Sequence, residues 1–525
     1  MPTIQPAPSK DWQLPAIVAF VYVALAVLAQ GQDNNWDLRN YHLYTPIALM
    51  EARLGMDIAV AQLQSWHNPT LDFPLAWLVK AGAPGWLVSL WLALPAFIAL
   101  FFALRLMDLL WPAQRSTFRT WIAGLLAVSG AAVLPSIGTS FNDAFVAAGI
   151  LPALWWMADS HGKRGVWATW LPIGLLAGAA AGLKFTAAMY CIGFIAAALV
   201  AGPLRTLPAR ILALAIGGVS AAAVTAGPWA WHLWQEHANP LFPYFNQWFR
   251  SPDALPLPHK DMRFVPVGWY DSLMVPFHLL FESRRYSESR LSDPRLLLGF
   301  LALAVWLVRW LRTSPRPHGM APWPLVAFTL ASYAVWVHLY GIYRYVYALE
   351  LLLAVSFMGV LSSLLPRRWP RTLMFIALVL VVAATHKPSW GRQSFSAPMV
   401  SVQFPPLEDK ALVLLADMDP LAHAVAFLPA NVPALSLRNN FMSPQVCTDL
   451  QAKVESRVRA HQGSLYLLRQ TSETGSNETP FDVYGLKLKG ECMPVDNSLQ
   501  ALELCPLTRN ATPTAVLCPL PATGH

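Results

Sequence analysis

The sequence has 525 residues, 55% of them hydrophobic and 13% charged, with a mean hydropathy of +0.42. Soluble domains carry about a quarter charged residues, so this composition excludes an ordinary soluble enzyme. The net charge of +8 does not signal nucleic-acid binding, because Lys and Arg recur at the ends of apolar runs and form no single patch.

A transmembrane helix needs about 20 apolar residues, and about 11 such runs follow one another along the chain. They lie near 13–30, 86–110, 119–138, 141–158, 166–182, 185–203, 210–232, 294–312, 323–341, 345–365 and 371–386. Abundant Trp and Pro suit interfacial anchoring and broken helices. The first run is long for the apolar core of a signal peptide and is expected to remain in place. Alternate short loops hold the basic residues: Arg105, Arg115 and Arg119; Lys163 and Arg164; Arg205 and Arg210; Arg309, Arg312 and Arg316; Arg367, Arg368 and Arg371. Basic loops stay inside, which predicts a polytopic α-helical membrane protein with its N-terminus in and its C-terminus out.

Three segments outside the spans are long: 31–85, 233–293 and the tail from 388. The first opens with Asp33, Asp37, Arg39 and His42. Asp33 and Asp37 are four apart, so a helix would set both carboxylates on one face. Asp33 reads as a capping residue and Asp37 as a carboxylate able to deprotonate an acceptor. Further along, Trp66 and His67 are placed either to contact sugar or to anchor the interface. Asp143 stands alone in Ser140-Phe141-Asn142-Asp143, where it also caps a helix. Lys184 and Arg344 break the inside bias, since both fall at helix ends on the exterior side. An anionic lipid phosphate there would account for both, as would snorkelling to ordinary headgroups.

The second long segment follows Gly227-Pro228-Trp229 and His232, where Gly-Pro is expected to end or kink the helix. It continues through Asn239-Pro240 to Arg284 and Arg285, on an amphipathic stretch starting near Tyr270. The tail alternates strand-like runs (Leu412–Leu415, Ala434–Leu437, Ser464–Leu468) with a helical pattern over Pro444–Ala460, which predicts a small α/β domain over 388–525. Residues 1–387 form the transmembrane module. Cys447, Cys492, Cys505 and Cys518 all lie in the tail, enough for two disulfides in an oxidising compartment, with three connectivities open. The chain has no Walker-type phosphate loop, no dinucleotide fingerprint and no His-Glu-x-x-His zinc site, so an ATP-driven pump is disfavoured.

The ordered set Trp36-Asp37 with Tyr41-His42, Asn142-Asp143, Gly182-Leu183-Lys184-Phe185-Thr186, Gly227-Pro228-Trp229 with Asn239-Pro240-Leu241-Phe242-Pro243, and Tyr343-Arg344-Tyr345 resembles the GT-C superfamily of polyprenyl-phosphate-sugar-dependent glycosyltransferases. It is most similar to the bacterial branch of protein O-mannosyltransferases, aminoarabinose transferases and lipopolysaccharide galacturonosyltransferases. Many relatives carry Asp-Glu directly after the first helix, whereas Asn-Asn-Trp separates Asp33 from Asp37 here. The resemblance implies a bacterial inner-membrane enzyme with its active site and C-terminal domain in the periplasm. Asp37 would be the catalytic base, and Lys184 and Arg344 the donor-phosphate ligands. Asp33, Arg39, His42, His67, Asp143 and His232 would supply substrate or metal contacts. The expected reaction is inverting transfer of a sugar from a polyprenyl-phosphate donor to a periplasmic lipid, glycan or protein. No cofactor is required; a divalent metal on Asp37 and Asp143 is compatible with the residues. Two alternatives stay open: a lipid-linked sugar flippase or transporter, and an O-antigen ligase or polymerase.

Overall fold

The computed structural model describes residues 12–314, 320–365, 370–472, 481, 483–509 and 518. Arg316, Arg367 and Arg368 of the basic loops lie outside the described residues. The apolar runs wind into helices: α1 (Gln13–Gln30), α2 (Gly85–Leu110), α3 (Thr117–Val128), α4 (Val133–Ser136), α5 (Asp143–Ser160), α6 (Val166–Leu183), α7 (Ala188–Val200), α8 (Leu207–His237), α9 (Gly268–His278), α10 (Arg295–Arg312), α11 (Trp323–Leu339), α12 (Tyr347–Leu364) and α13 (Pro370–Ala383). Among the described residues, five segments are long and apolar enough to cross a membrane: Gln13–Gln30, Gly85–Leu110, Val166–Leu183, Leu204–His237 and Tyr343–Leu364. Four shorter helices are also apolar.

Three expectations are corrected. The run near 119–138 is two helices, α3 and α4, broken at Ser129–Ala132. Gly227-Pro228 does not end its helix: α8 continues to His237 with Pro228 inside it. Arg284 and Arg285 fall beyond α9, which closes at His278, and Arg285 folds back to pair with Asp271.

The chain divides into two compact units. The first comprises Met1–Gly31, Ser89–Gly227 and Asp261–Trp390. Its central element is α12, whose first half is buried continuously from Tyr347 to Ser356. Such all-round burial fits a helix that is apolar on every face. Elsewhere small residues set the spacing. A Cβ on Gly178 of α6 would meet the Gly218 carbonyl oxygen of α8 at 2.1 Å, and one on Gly174 would meet that of Leu214 at 2.3 Å. Close backbone approach through small residues four apart is how helices associate in lipid, where apolar burial alone provides no driving force. α7 meets α11 through aromatic packing, with the Phe194 and Phe328 rings 4.7 Å apart.

The second unit comprises Gln32–Val88, Pro228–Lys260 and Gly391–His525. Its sheet has the order β3-β8-β9-β6-β4-β5, with β7 also on β9. The strands are β3 (Val402–Gln403), β4 (Leu412–Leu415), β5 (Ala434–Ser436), β6 (Leu465–Gln470), β7 (Leu486–Leu488), β8 (Met493–Asn497) and β9 (Leu502–Arg509). A separate antiparallel pair joins β1 (Gln32–Asp33) to β2 (Arg392–Gln393). β4 is parallel to both neighbours and buried at every residue, the pattern of a strand covered on both faces. The helix expected over Pro444–Ala460 is shorter, α14 (Asp449–Ala460), capped by the Thr448 side chain on Gln451 N–H. Val454 and Val458 of α14 join Leu414, Leu435 and Leu467 in the core. Ile58 adds to the sheet edge, its N–H bonding Ala434 O and its carbonyl accepting from Ser436 N–H. The cysteines pair as Cys447–Cys518 and Cys492–Cys505.

Candidate functional site

In the first unit, three helix junctions bring Asp143, Lys184 and Arg344 together. Asn142 adopts a left-handed conformation (φ 62°), one that Asn tolerates well, and so turns the chain into α5 with Asp143 as its first residue. A carboxylate there also complements the helix dipole. Lys184 follows the last residue of α6 in extended conformation, before a 3-10 turn over Phe185–Ala187 leads into α7. Arg344 sits on the 3-10 turn Tyr343–Val346 that enters α12. That turn follows Gly341 (φ +67°), where a Cβ would lie 2.0 Å from the Phe264 carbonyl oxygen.

Lys184 Nζ donates to Asp143 Oδ1 at 2.5 Å and to the Phe141 carbonyl at 2.6 Å. Arg344 Nε lies 3.5 Å from Asp143 Oδ2. The Asp143 and Arg344 side chains are 3% and 8% exposed and that of Lys184 is 16% exposed, so Lys184 is the most accessible of the three. Aromatic rings wall the group. The Arg344 guanidinium lies 3.7 Å from the Phe141 ring centre, and Lys184 Nζ is 5.3 Å from that of Tyr345. Trp390 meets Phe141 edge-on at 5.4 Å. Asp143 is therefore not the isolated carboxylate that its local sequence suggests. Two cations share this carboxylate among aromatic rings, surroundings in which charge-assisted bonds are strengthened. This cationic donor set suits a phosphate better than a divalent metal. Phe141, Tyr345 and Trp390 were not expected as site residues, and nothing local to Trp390 marks it.

The second unit holds the other sequence candidates. Asp33 is not on a helix with Asp37. It lies in β1 opposite Arg392, and its Oδ1 accepts from Asn35 N–H at 3.0 Å, a local turn role. Asp37 is half-buried at the start of a π-helical turn, Leu38–His42. π-turns are rare and occur often at functional sites. Their i→i+5 winding sets His42 one turn beyond Asp37. His42 Nδ1 is 2.9 Å from Asp72 Oδ2, both side chains being buried. His67 Nε2 bonds the Tyr244 hydroxyl at 2.9 Å, and its ring meets Tyr41 edge-on. Arg39 bonds Gln500, and burial lowers its guanidinium pKa against the pull of Asp419 and Asp33. The His232 ring lies 5.0 Å from that of Trp229.

No family model matches this chain and no curated protein matches it, but solved structures resemble it. ArnT from Cupriavidus metallidurans in the apo state shares 17% identity over 71% of this chain, with a TM-score of 0.46. The same protein bound to undecaprenyl phosphate gives 16% and 0.43. The oligosaccharyltransferase of Archaeoglobus fulgidus gives 11% over 91% of this chain, with a TM-score of 0.48 and 71% of its own length. This chain spans 64% of the length of each ArnT chain it matches.

Two further groups of the second unit escaped the sequence. His237 Nδ1–H donates to Asp253 Oδ2 at 2.7 Å, while its Nε2 accepts from Trp66 Nε1–H at 3.0 Å. Lys453 holds the other Asp253 oxygen at 3.0 Å. Burial pushes the Asp253 carboxyl up, but the bonds from His237 and Lys453 outweigh it and leave its pKa below the usual range. These residues are far apart in sequence, so no spacing could announce them. His423 is the second group. Its Nδ1–H donates to the Arg39 carbonyl at 3.1 Å, and its Nε2 accepts from Asn497 Nδ2 at 2.8 Å, so it braces the π-turn that carries Asp37.

Burial is the main cause that drives the His423 pKa from 6.5 down to about 3. A depressed folded-state pKa contributes stability above the unfolded value that is lost as pH falls. The second unit should therefore weaken progressively below pH 6.5, by on the order of 2 kcal/mol at pH 5. The midpoint of thermal unfolding followed against pH checks this: His423→Gln should be less stable at pH 8 but flatter between pH 7 and 5. An equally steep decline in the variant would assign the acid sensitivity elsewhere.

Proposed function

We propose that the chain is an inverting glycosyltransferase that moves a sugar from a polyprenyl-phosphate donor to an acceptor on the exterior face of the bacterial inner membrane. The observation that carries this reading is the convergence of Lys184 and Arg344 on one buried carboxylate at the ends of apolar helices. Lys and Arg gathered at the ends of apolar helices suit charge-assisted contacts with an anionic lipid phosphate. In this reading the chain crosses the membrane about 11 times with its N-terminus inside. The long segments 31–85, 233–293 and the tail then face the periplasm.

Lys184 and Arg344 hold the donor phosphate and stabilise the charge that develops as it leaves. Asp143 keeps both cations aligned. Asp37 takes the proton of an acceptor hydroxyl, whose oxygen forms a bond to the anomeric carbon. The bond from that carbon to phosphate oxygen breaks, and its electron pair stays on the phosphate. One displacement inverts the anomeric centre, and the proton leaves Asp37 to solvent afterwards.

A flippase would use ionisable groups at mid-membrane. The buried charges Arg295 and Glu350 lie instead in the first turns of α10 and α12, which favours chemistry at the surface. A panel of synthetic polyprenyl-phosphate sugars given to purified protein in detergent tests the reading. Release of polyprenyl phosphate with at least one donor is expected. No turnover with any donor, together with lipid movement across vesicles, would transfer the assignment to a flippase.

A further inference from the structure

The break between α3 and α4 exposes consecutive backbone N–H groups inside the first unit, and buried ionisable side chains take them up. Glu350, in the first turn of α12 and fully buried, accepts from Ala132 N–H at 2.9 Å and from Val133 N–H at 3.1 Å. The preceding N–H, of Ala131, donates to Asp293 Oδ2 at 2.8 Å. Arg295 contacts both Asp293 oxygens through Nη1 at 2.9 Å. It also donates to the Leu126 carbonyl, to Ser129 Oγ and to Thr385 Oγ1 at 2.9, 2.8 and 2.9 Å. Gly130 leaves room for this arrangement: a Cβ there would lie 1.6 Å from Glu350 Oε1.

Buried irregular backbone must have its polar groups satisfied by protein. Neutral side chains could do that at lower cost than buried charge. What the carboxylate adds is a link between two segments. Glu350 lies on the helix that Arg344 leads into, and its oxygens grip the segment that runs on to Phe141 and Asp143. We propose that Glu350, backed by the Asp293–Arg295 pair, is a positioning residue that sets Arg344 against Asp143 and Lys184 and so holds the anion-binding group in register. Its consequence for donor binding rests on the reading of Lys184 and Arg344 as phosphate ligands; the positioning itself does not.

The test uses the full-length protein in detergent, comparing wild type with Glu350→Gln and Ser129→Ala. Gln is isosteric and still accepts one bond, while Ser129→Ala removes a single contact to Arg295. The first readout is acylation of Lys184 by an amine-reactive reagent, quantified by mass spectrometry, with Lys163 beyond the other end of α5 as reference. The second is affinity for a synthetic polyprenyl monophosphate. Losing a charge-assisted bond should raise the Lys184 labelling rate and weaken lipid binding about tenfold each in Glu350→Gln, and less in Ser129→Ala. Lys163 labelling should not move. Unchanged Lys184 labelling in both variants overturns the proposal, as does an equal rise at Lys163, which would mean general loosening. If Glu350→Gln does not fold, Ser129→Ala decides. If wild type binds no phosphate lipid yet Lys184 labelling responds, the donor assignment fails and the positioning role stands.

Discussion

Asp37→Asn is expected to lower the rate of sugar transfer by about a thousandfold while leaving donor binding within about twofold of wild type. Asn matches the size of Asp and keeps a hydrogen-bonding oxygen, but it cannot accept the proton of an acceptor hydroxyl near neutral pH. The loss therefore appears in kcat rather than in donor KM. Donor hydrolysis, in which water replaces the acceptor, should fall with it. Asp33→Asn supplies the contrast. That carboxylate holds the Asn35 N–H within a turn, and a neutral amide oxygen can accept the same bond. Its effect should be confined to a modest loss of stability. Full transfer activity in Asp37→Asn, or a greater loss in Asp33→Asn, would remove Asp37 as the base. Single-turnover rates with a polyprenyl-phosphate sugar, measured beside equilibrium binding of the lipid, separate these outcomes.

Lys184→Ala is expected to weaken donor affinity by about 10- to 100-fold, the worth of one charge-assisted contact to phosphate. A single replacement is ambiguous, since Asp143 is buried and loses its shortest ion-pair contact at the same time. The double variant Lys184→Ala with Asp143→Asn resolves this. If Lys184 serves only to neutralise Asp143, removing both charges should restore much of the lost stability and activity. If Lys184 binds phosphate, stability returns but donor affinity stays low. Arg344→Lys adds a second discrimination. Lys keeps the charge but lacks the planar fork and its stacking on Phe141, so an intermediate loss is expected. Titration of polyprenyl monophosphate against each variant, alongside thermal unfolding, provides both quantities.

The long apolar stretches were legible because a span is a local property: the length and hydropathy of one segment decide it. Helix bounds such as Gln13–Gln30 and Val166–Leu183 accordingly fall within a residue or so of the apolar runs. The short strand Leu412–Leu415 was legible for the same reason. Local reasoning failed where a partner distant in sequence overrides it. Asp33 would share a helix face with Asp37 by spacing alone, yet pairing with Arg392 draws it into a strand. Gly-Pro should end or kink a helix, and the ending does not occur: α8 carries Pro228 through to His237. The α3–α4 break lies in a run that is apolar throughout, and the side chains that satisfy it come from Asp293 and Glu350.

Lys184 and Arg344 stood out from sequence because each violates a charge bias, which can be counted without a structure. What surrounds them could not be counted. Phe141 with Asp143, Tyr345, and Trp390 come from three separate stretches, and only folding brings them to one place. The same holds for His237, Asp253, Lys453 and Trp66 in the second unit. The sequence by itself determined the solvent this protein is made for, the helices that composition forces, and the exceptional charges. Tertiary structure alone decided which carboxylate faces which cation, because Coulomb and hydrogen-bond energies depend on distance in space and not on separation along the chain.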